Sequence, residues 1–344
     1  MSEPPMVTVA VPCLDEIRHI AGCLGAILDQ DYPAHRLEII VADGGSTDGT
    51  RELLRRFAEA EPRIRVVDNE ARVQAAGLNA ILRACRGDVI VRMDVHCDYA
   101  PDYVRTSVEV LARTGADCVG GPQRVVARGR FEAALSAALR SPLGMGGARH
   151  RQADREGLTD TVFLGAFRRE VFERVGLFDP GAVTNEDAEL NQRILAAGGR
   201  IYQSRDIVSR YTPRDSFRRL MQQYFAYGAG RARTLVKHGR LPVTRPLIPF
   251  LFVTGVAALV LTSPFHALTP LCLGLYALLV AAEGIRVGGR AAPLVARMFP
   301  VMHVAHGVGF AAGLIRYLRR PDWHPPERLA PRPDPASAAR AQAG

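Results

Sequence analysis

Asp88-Val89-Ile90-Val91-Arg92-Met93-Asp94-Val95-His96-Cys97-Asp98 is the stretch around which this 344-residue chain is organised. An apolar run closing on carboxylate, spacer, imidazole, spacer, carboxylate predicts a buried strand whose last residues emerge at the carboxyl edge of a sheet. That edge is where open α/β sheets bind ligands. Read as extended chain, Asp94, His96 and Asp98 project from one face, because side chains alternate with period two. Together they would hold one divalent cation, and oxygen donors with a single nitrogen suit Mn²⁺ or Mg²⁺ better than a structural zinc. The alternative is a strand end turning into solvent, where Asp is common in any case.

On the amino-terminal side the pattern repeats. Val7 to Val11 is a β-rich run stopped by Pro12, and Ile17 to Leu28 carries apolar residues at helical spacing. Between them, Pro12-Cys13-Leu14-Asp15-Glu16 reads as a ligand-edge turn or as a helix cap with acids in its first turn. Leu37 to Ala42 runs into Asp43-Gly44-Gly45-Ser46-Thr47-Asp48-Gly49-Thr50 and then a helix, a geometry suited to a nucleotide, with Asp43 placed to accept hydrogen bonds from a base or ribose. It is neither a dinucleotide fingerprint nor a phosphate loop with its lysine. Ile64 to Val67 and Val73 to Ala84 supply another strand and helix, with Arg72 at the helix start and Asn79 within it. Such alternation predicts an α/β fold with a mostly parallel, doubly wound sheet and right-handed crossovers.

On the carboxyl side, Tyr103 to Leu111 reads as a helix and Asp117 to Pro122 as a strand ending in a turn. The basic loop between Ser141 and Asp160, with Arg149 and His150, would clamp phosphates or simply be solvated. Thr161 to Phe167 leads to a helix near Glu170 to Val175. Thr184-Asn185-Glu186-Asp187-Ala188-Glu189-Leu190 then opens a helix closing at Gly198-Gly199.

The formal charge of +9 is compatible with anionic lipid or anionic substrate, and the chain lacks helix-turn-helix, zinc-finger and aromatic RNA-binding signatures, so no nucleic-acid partner is expected. Six scattered cysteines without a C-x-x-C pair point to reduced thiols in a cytosolic compartment. Met1-Ser2-Glu3-Pro4-Pro5 has no signal-peptide pattern, so the first domain is expected to stay where it is made.

With these pieces in order, the chain resembles the family-2 glycosyltransferases of the GT-A fold, most closely the bacterial succinoglycan-biosynthesis glucosyltransferase group. The matching positions are Pro12 to Glu16, Asp43 to Thr50, Asp94-Val95-His96, Gly120-Gly121-Pro122-Gln123, Val162 to Phe167 and Glu186-Asp187, and the resemblance covers residues 6–235. It implies that Asp43 and the Pro12 to Glu16 turn, with Asp15, Arg72 and Asn79, hold the uridine of a UDP-sugar, UDP-glucose by analogy. Asp94 and His96 would stand where the family carries its metal motif, with Asp98 compensating for the neutral histidine. Asp187, with Glu186 beside it, would match the base that deprotonates the acceptor hydroxyl, with inversion at the anomeric carbon. Processive members carry Gln-x-x-Arg-Trp, whereas Leu220 to Arg231 offers Gln222, Gln223 and Arg231 without the tryptophan, which predicts transfer of a single sugar. A processive synthase, or a degenerate adaptor that binds nucleotide sugar without turnover, is the alternative.

Leu247 to Ser263 and Phe265 to Ala282 are nearly uncharged, at the lower bound for crossing a bilayer of about 30 Å. Flanking arginines at 240, 245, 286, 290 and 297, with none between, predict a hairpin with both feet cytoplasmic. Met298 to Leu318, ending in basic residues, is expected to be re-entrant or interfacial. The expected organisation is a catalytic domain over 1–235, membrane-associated helices over 236–320 and a disordered tail over 321–344. A nucleotide-sugar enzyme of this form would act on a lipid-linked glycan acceptor at the cytoplasmic face of the inner membrane.

Overall fold

The computed structural model describes residues 3–145, 152–241, 243–262, 268–323 and 325–331. The first half alternates as predicted: β1 (Val7–Cys13), α1 (Ile20–Leu28), β2 (Leu37–Asp43), α2 (Thr50–Ala60), β3 (Ile64–Asp68), α3 (Gln74–Ala84) and β4 (Val89–Arg92). There follow β5 (Cys97–Tyr99), α4 (Tyr103–Thr114), β6 (Cys118–Gly121), β7 (Arg124–Val125), α5 (Arg130–Arg140), α6 (Pro142–Met145), β8 (Gly157–Leu158), β9 (Phe163–Arg168) and α7 (Arg169–Val175). The remainder is α8 (Glu186–Ala196), β10 (Ile201–Gln203), β11 (Ser209–Tyr211), α9 (Phe217–His238), α10 (Leu247–Thr262), α11 (Leu268–Gly288) and α12 (Ala292–Arg319).

One eight-stranded sheet runs in the order β3-β2-β1-β4-β9-β6-β10-β8, and β5, β11 and β7 form a small second sheet. β1 pairs in parallel with both β2 and β4, so the strand order reverses at β1 and leaves a crevice beyond its carboxyl end. β9 is antiparallel to both β4 and β6, and the start of α8 lies beside the end of β4, where Arg92 reaches Glu186. The fully buried runs Leu37–Asp43 and Val89–Arg92 are covered on both faces, as parallel strands require.

Asp94, His96 and Asp98 do not share one strand face, contrary to the sequence expectation. β4 stops at Arg92, and the Cys97 N–H donates to the Asp94 carbonyl in a tight turn before β5 begins. Tyr99 fixes that turn: its hydroxyl accepts from the Asp94 N–H at 2.5 Å and lies 3.0 Å from the Asp94 carbonyl oxygen. The period-two argument fails because the backbone is not extended between positions 94 and 96.

The carboxyl-terminal helices differ in how they are covered. α10 has no buried residue, and α11 buries only Val280 and Gly284. The stretch Leu268–Arg319 contains a window apolar enough to cross a membrane, of which only 11% is buried. α12 instead buries Val295, Phe299, Met302, Phe310 and Tyr317 along one stripe and lies against α9. A methyl group on Gly228 would overlap the His306 carbonyl oxygen, and one on Gly309 the Phe225 carbonyl oxygen. The expected domain limit at 235 therefore falls inside α9.

A second correction concerns the tail. Residues after Pro321 do not begin a disordered segment: Asp322 and Trp323 meet Arg233, Glu327 pairs with Arg83, the Leu177 N–H donates to the Glu327 carbonyl at 2.7 Å, and Leu329 is buried in the core. Composition pointed to disorder, but one leucine and a few fixed charges suffice to return the chain to the catalytic domain. Residues 332–344 lie outside the described residues.

Candidate active site

The β1–α1 and β2–α2 loops are laced together at the sheet's carboxyl edge. The Asp15 N–H donates to Ser46 Oγ at 2.8 Å, the Thr47 N–H donates to Asp15 Oδ1 at 2.8 Å, and the Glu16 N–H donates to Thr50 Oγ1 at 2.8 Å. Asp43 is fully buried and accepts from both the hydroxyl and the N–H of Ser46. It therefore shapes the loop from beneath, while Asp15, Glu16 and Arg72 form the open rim. Arg72 donates to the Gly45 carbonyl at 3.3 Å and lies 4.0 Å from Asp15. Gly49 is the N-cap residue of α2, and Asp48 before it accepts from the Thr50 N–H through Oδ1, leaving Ser46 for the loop.

Asn79 is not at this rim. Its amide donates to the Phe178 carbonyl at 2.8 Å and accepts from the Phe178 N–H at 2.9 Å. Both ends of the side chain are thus committed to holding α3 against the segment that leads to α8. Its helical position gave no sign of this long-range partner.

Next to the rim opens a cavity of about 1590 Å³, lined at one end by Asp94, His96, Asp98, Glu186 and Asp187. Arg92 joins the β4 and α8 motifs. It donates to Asp94 through Nε (3.0 Å) and Nη2 (3.2 Å), and through Nη1 to Glu186 Oε1 at 3.0 Å. Burial opposes its charge, but the two carboxylates outweigh burial and hold the guanidinium well above its ordinary value. Burial raises Glu186 despite Arg92, so Glu186 serves as an anchor, whereas half-exposed Asp187 faces the cavity. Asp187 Oδ1 accepts from the Ala188 N–H at 2.7 Å. Asn185 precedes it at φ +61°, a conformation Asn tolerates, and the Asn185 amide donates to the Tyr227 carbonyl at 3.1 Å. Arg92 was overlooked in the sequence, although a charge inside an apolar strand demands partners and is itself a signal.

Among the described residues, the group that brings metal-ligating atoms together is Glu16, His19 and His96, all within 4.8 Å of one another. His96 Nε2 lies 2.7 Å from Glu16 Oε1, and the His19 and His96 rings meet edge to face. Asp98 is absent from that group: it projects from β5 opposite Arg210 of β11. One carboxylate and two imidazoles fit a divalent cation, and fit Mn²⁺ better than Mg²⁺, which prefers oxygen alone. His19 escaped sequence reading because its partner is distant in the chain.

Gln222 and Gln223 of α9 line the cavity, with Gln223 donating to the Tyr227 hydroxyl at 2.9 Å, and Arg231 lines it further along. Arg149 and His150, expected to clamp phosphate, lie outside the described residues.

Residues 8–176 match the family described as Glycosyl transferase family 2. The succinoglycan biosynthesis protein ExoA of Rhizobium meliloti (strain 1021) is 35% identical over 91% of this chain and 96% of its own length. The chain belongs to glycosyl transferase family 2. It is a glycosyltransferase, and its expected GT-A-like sheet is the one observed. A second relative is the dolichyl N-acetyl-alpha-D-glucosaminyl phosphate 3-beta-D-2,3-diacetamido-2,3-dideoxy-beta-D-glucuronosyltransferase of Methanococcus voltae, 24% identical over 90% of this chain and 97% of its own. Among solved structures, the mannosyltransferase PcManGT from Pyrobaculum calidifontis, in complex with GDP-Man and Mn²⁺, superposes with a TM-score of 0.63 at 23% identity. It covers 92% of this chain and 88% of that one, and at that identity the likeness is one of fold alone.

Proposed function

We propose that this enzyme transfers a single sugar, with inversion, from a UDP-sugar to a lipid-linked glycan acceptor during exopolysaccharide or cell-envelope glycan synthesis. The observation that carries this is the Arg92 bridge, which holds the start of α8 beside the turn after β4 and so sets Asp187 against the cavity wall. Asp187 takes the proton of the acceptor hydroxyl as that oxygen attacks the anomeric carbon. Asp15, Glu16 and Arg72 hold the nucleoside end at the rim. Glu16, His19 and His96 would hold a divalent cation, Mn²⁺ in preference to Mg²⁺, and such an ion would supply Lewis-acid charge to the leaving nucleotide. Asp94, fixed by Arg92, positions the donor beside it.

The lipid acceptor is supported by the cavity's far wall, where Ile248, Phe252 and Leu279 come from the uncovered helices α10 and α11. We read these two as a membrane hairpin whose arginine-flanked feet are cytoplasmic at the inner membrane. α12, covered by α9, lies at the interface, and its end returns to the catalytic domain through the tail. UDP as the nucleotide, and UDP-glucose as the first candidate, rest on the likeness to the succinoglycan group.

The test is nucleotide release by purified membranes supplied with crude lipid-linked acceptor and a panel of UDP-sugars and GDP-mannose, with and without Mn²⁺ or Mg²⁺. Metal-stimulated turnover with one UDP-sugar is expected. Asp187→Asn should lower it by about 10²- to 10⁴-fold, the range of general-base catalysis, and Asp94→Ala should abolish it. Donor binding without turnover would favour the adaptor, and products longer than one sugar would favour a processive synthase.

A further inference from the structure

Besides the carboxylates, the cavity is lined by residues of α9 and α12 and by apolar residues of α10 and α11. Arg231 of α9 stands at this junction. It is half-buried, its surroundings lower its hold on a proton, and it lines the cavity with no ion-pair partner among the described residues. The acids whose charge acts on it are Asp187 and Asp160, and Asp160 is already held by Arg245 at 2.7 Å. A cavity-lining guanidinium whose N–H groups meet no carboxylate is free to receive an anion.

His306 of α12 faces the same space and feels the Arg231 charge. Its Nδ1 is buried with no hydrogen-bond partner. The neighbouring His303 is fully committed: Nε2 lies 2.8 Å from the Leu143 carbonyl and must donate to it, so Nδ1 accepts from the Tyr276 hydroxyl at 2.8 Å. Arg231 and the His306 ring therefore each have hydrogen-bonding capacity left to give at this junction. Ile248, Phe252, Leu279 and Met302 wall the cavity beyond them.

We propose that Arg231 and His306 form the seat for the phosphate of the lipid acceptor, with its hydrocarbon chain leaving along α10 and α11. This rests on the lipid-acceptor reading above. The guanidinium offers paired N–H groups to phosphate oxygens, and the apolar wall selects a phosphate ester of a long-chain alcohol over a free phosphate.

The test is binding to the purified full-length protein in detergent micelles, using farnesyl phosphate, farnesol, inorganic phosphate and UDP as separate probes. Wild type is expected to bind farnesyl phosphate at least tenfold more tightly than farnesol or inorganic phosphate. Arg231→Gln should lose about tenfold of that affinity and His306→Asn about threefold, while UDP affinity stays within twofold. Thermal unfolding checks the variants, and Arg231→Lys carries the comparison if the Gln variant does not fold. The seat is refuted by inorganic phosphate binding as tightly as farnesyl phosphate, by unchanged farnesyl phosphate affinity in both Arg231 variants, or by weakened UDP binding, which would give Arg231 to the donor diphosphate. Arg231-dependent binding in a protein that transfers no sugar would leave the seat standing and overturn the function. Sugar transfer to lipid without such binding would do the reverse.

Discussion

Arg92 and Glu189 show how single buried charges hold the site. Removing the Arg92 guanidinium by Arg92→Met leaves Asp94 and Glu186 facing each other without a cation, and breaking a buried pair of this kind costs about 3–5 kcal/mol. Chemical denaturation should show that loss, together with activity reduced far more than donor binding. Glu189 is fully buried and accepts from Arg193, Lys237 and His238. Burial alone would raise its pKa, but these partners win and hold it well below the ordinary carboxylate value. Its contribution is therefore complete above the unfolded-state value near 4.3 and is lost as the pH falls through the depressed folded-state value. Melting temperature should drop as the pH is lowered below about 5, and Glu189→Gln, less stable at neutral pH by about 3 kcal/mol, should show a shallower acid limb. An equally steep limb in the variant would assign acid sensitivity to other carboxylates.

The element that the catalytic domain and the apolar helices share is α9. Its small residues Gly228 and Ala229 let α12 approach until backbone meets backbone at His306 and Gly313. Pro300 sits inside α12 without ending it, so the helix continues to Arg319 and carries His306 to the cavity. Gly228→Val would force the two helices apart, with an overpacking cost of about 1–3 kcal/mol. Loss of lipid-acceptor turnover, with nucleotide binding at the rim retained, is the expected outcome. The rim depends on the β1–α1 and β2–α2 loops, which are held to each other by their own hydrogen bonds. Equal loss of both functions would show instead that α9 and α12 support the whole domain.

Across the whole molecule, the chain closes on itself. Arg233, 2% exposed by its side chain, binds Asp179 at 2.8 Å and Asp322 at 2.7 Å, and its guanidinium lies over the rings of Tyr317 and Trp323. This clasp ties the end of α12 and the tail to the segment preceding α8. Leu329→Ala should cost about 2 kcal/mol, the lower range for a buried leucine, and deletion after Arg320 should cost more because it also strips Asp322 from Arg233. Because the tail docks on the catalytic domain, a reporter fused to the carboxyl terminus reports that domain's side, and under the cytoplasmic orientation proposed above it should be silent outside the membrane. Strong activity there would place the catalytic domain itself on the outer side.

The alternation of apolar strands and amphipathic helices, the order of the Asp43, Asp94 and Glu186-Asp187 motifs, and the two uncovered apolar helices were all determined locally, by side-chain period and turn residues within short windows. Tertiary structure alone decided which of these groups meet. Insertion of antiparallel β9 between β4 and β6 brings Glu186 to Arg92 across 94 positions. The turn after β4 removes Asp98 from His96 and gives His96 to Glu16 and His19. Asn79 becomes a strut and Leu329 a core residue because their partners lie on distant elements. Periodicity records which face a residue occupies, but not what the folded chain sets opposite that face.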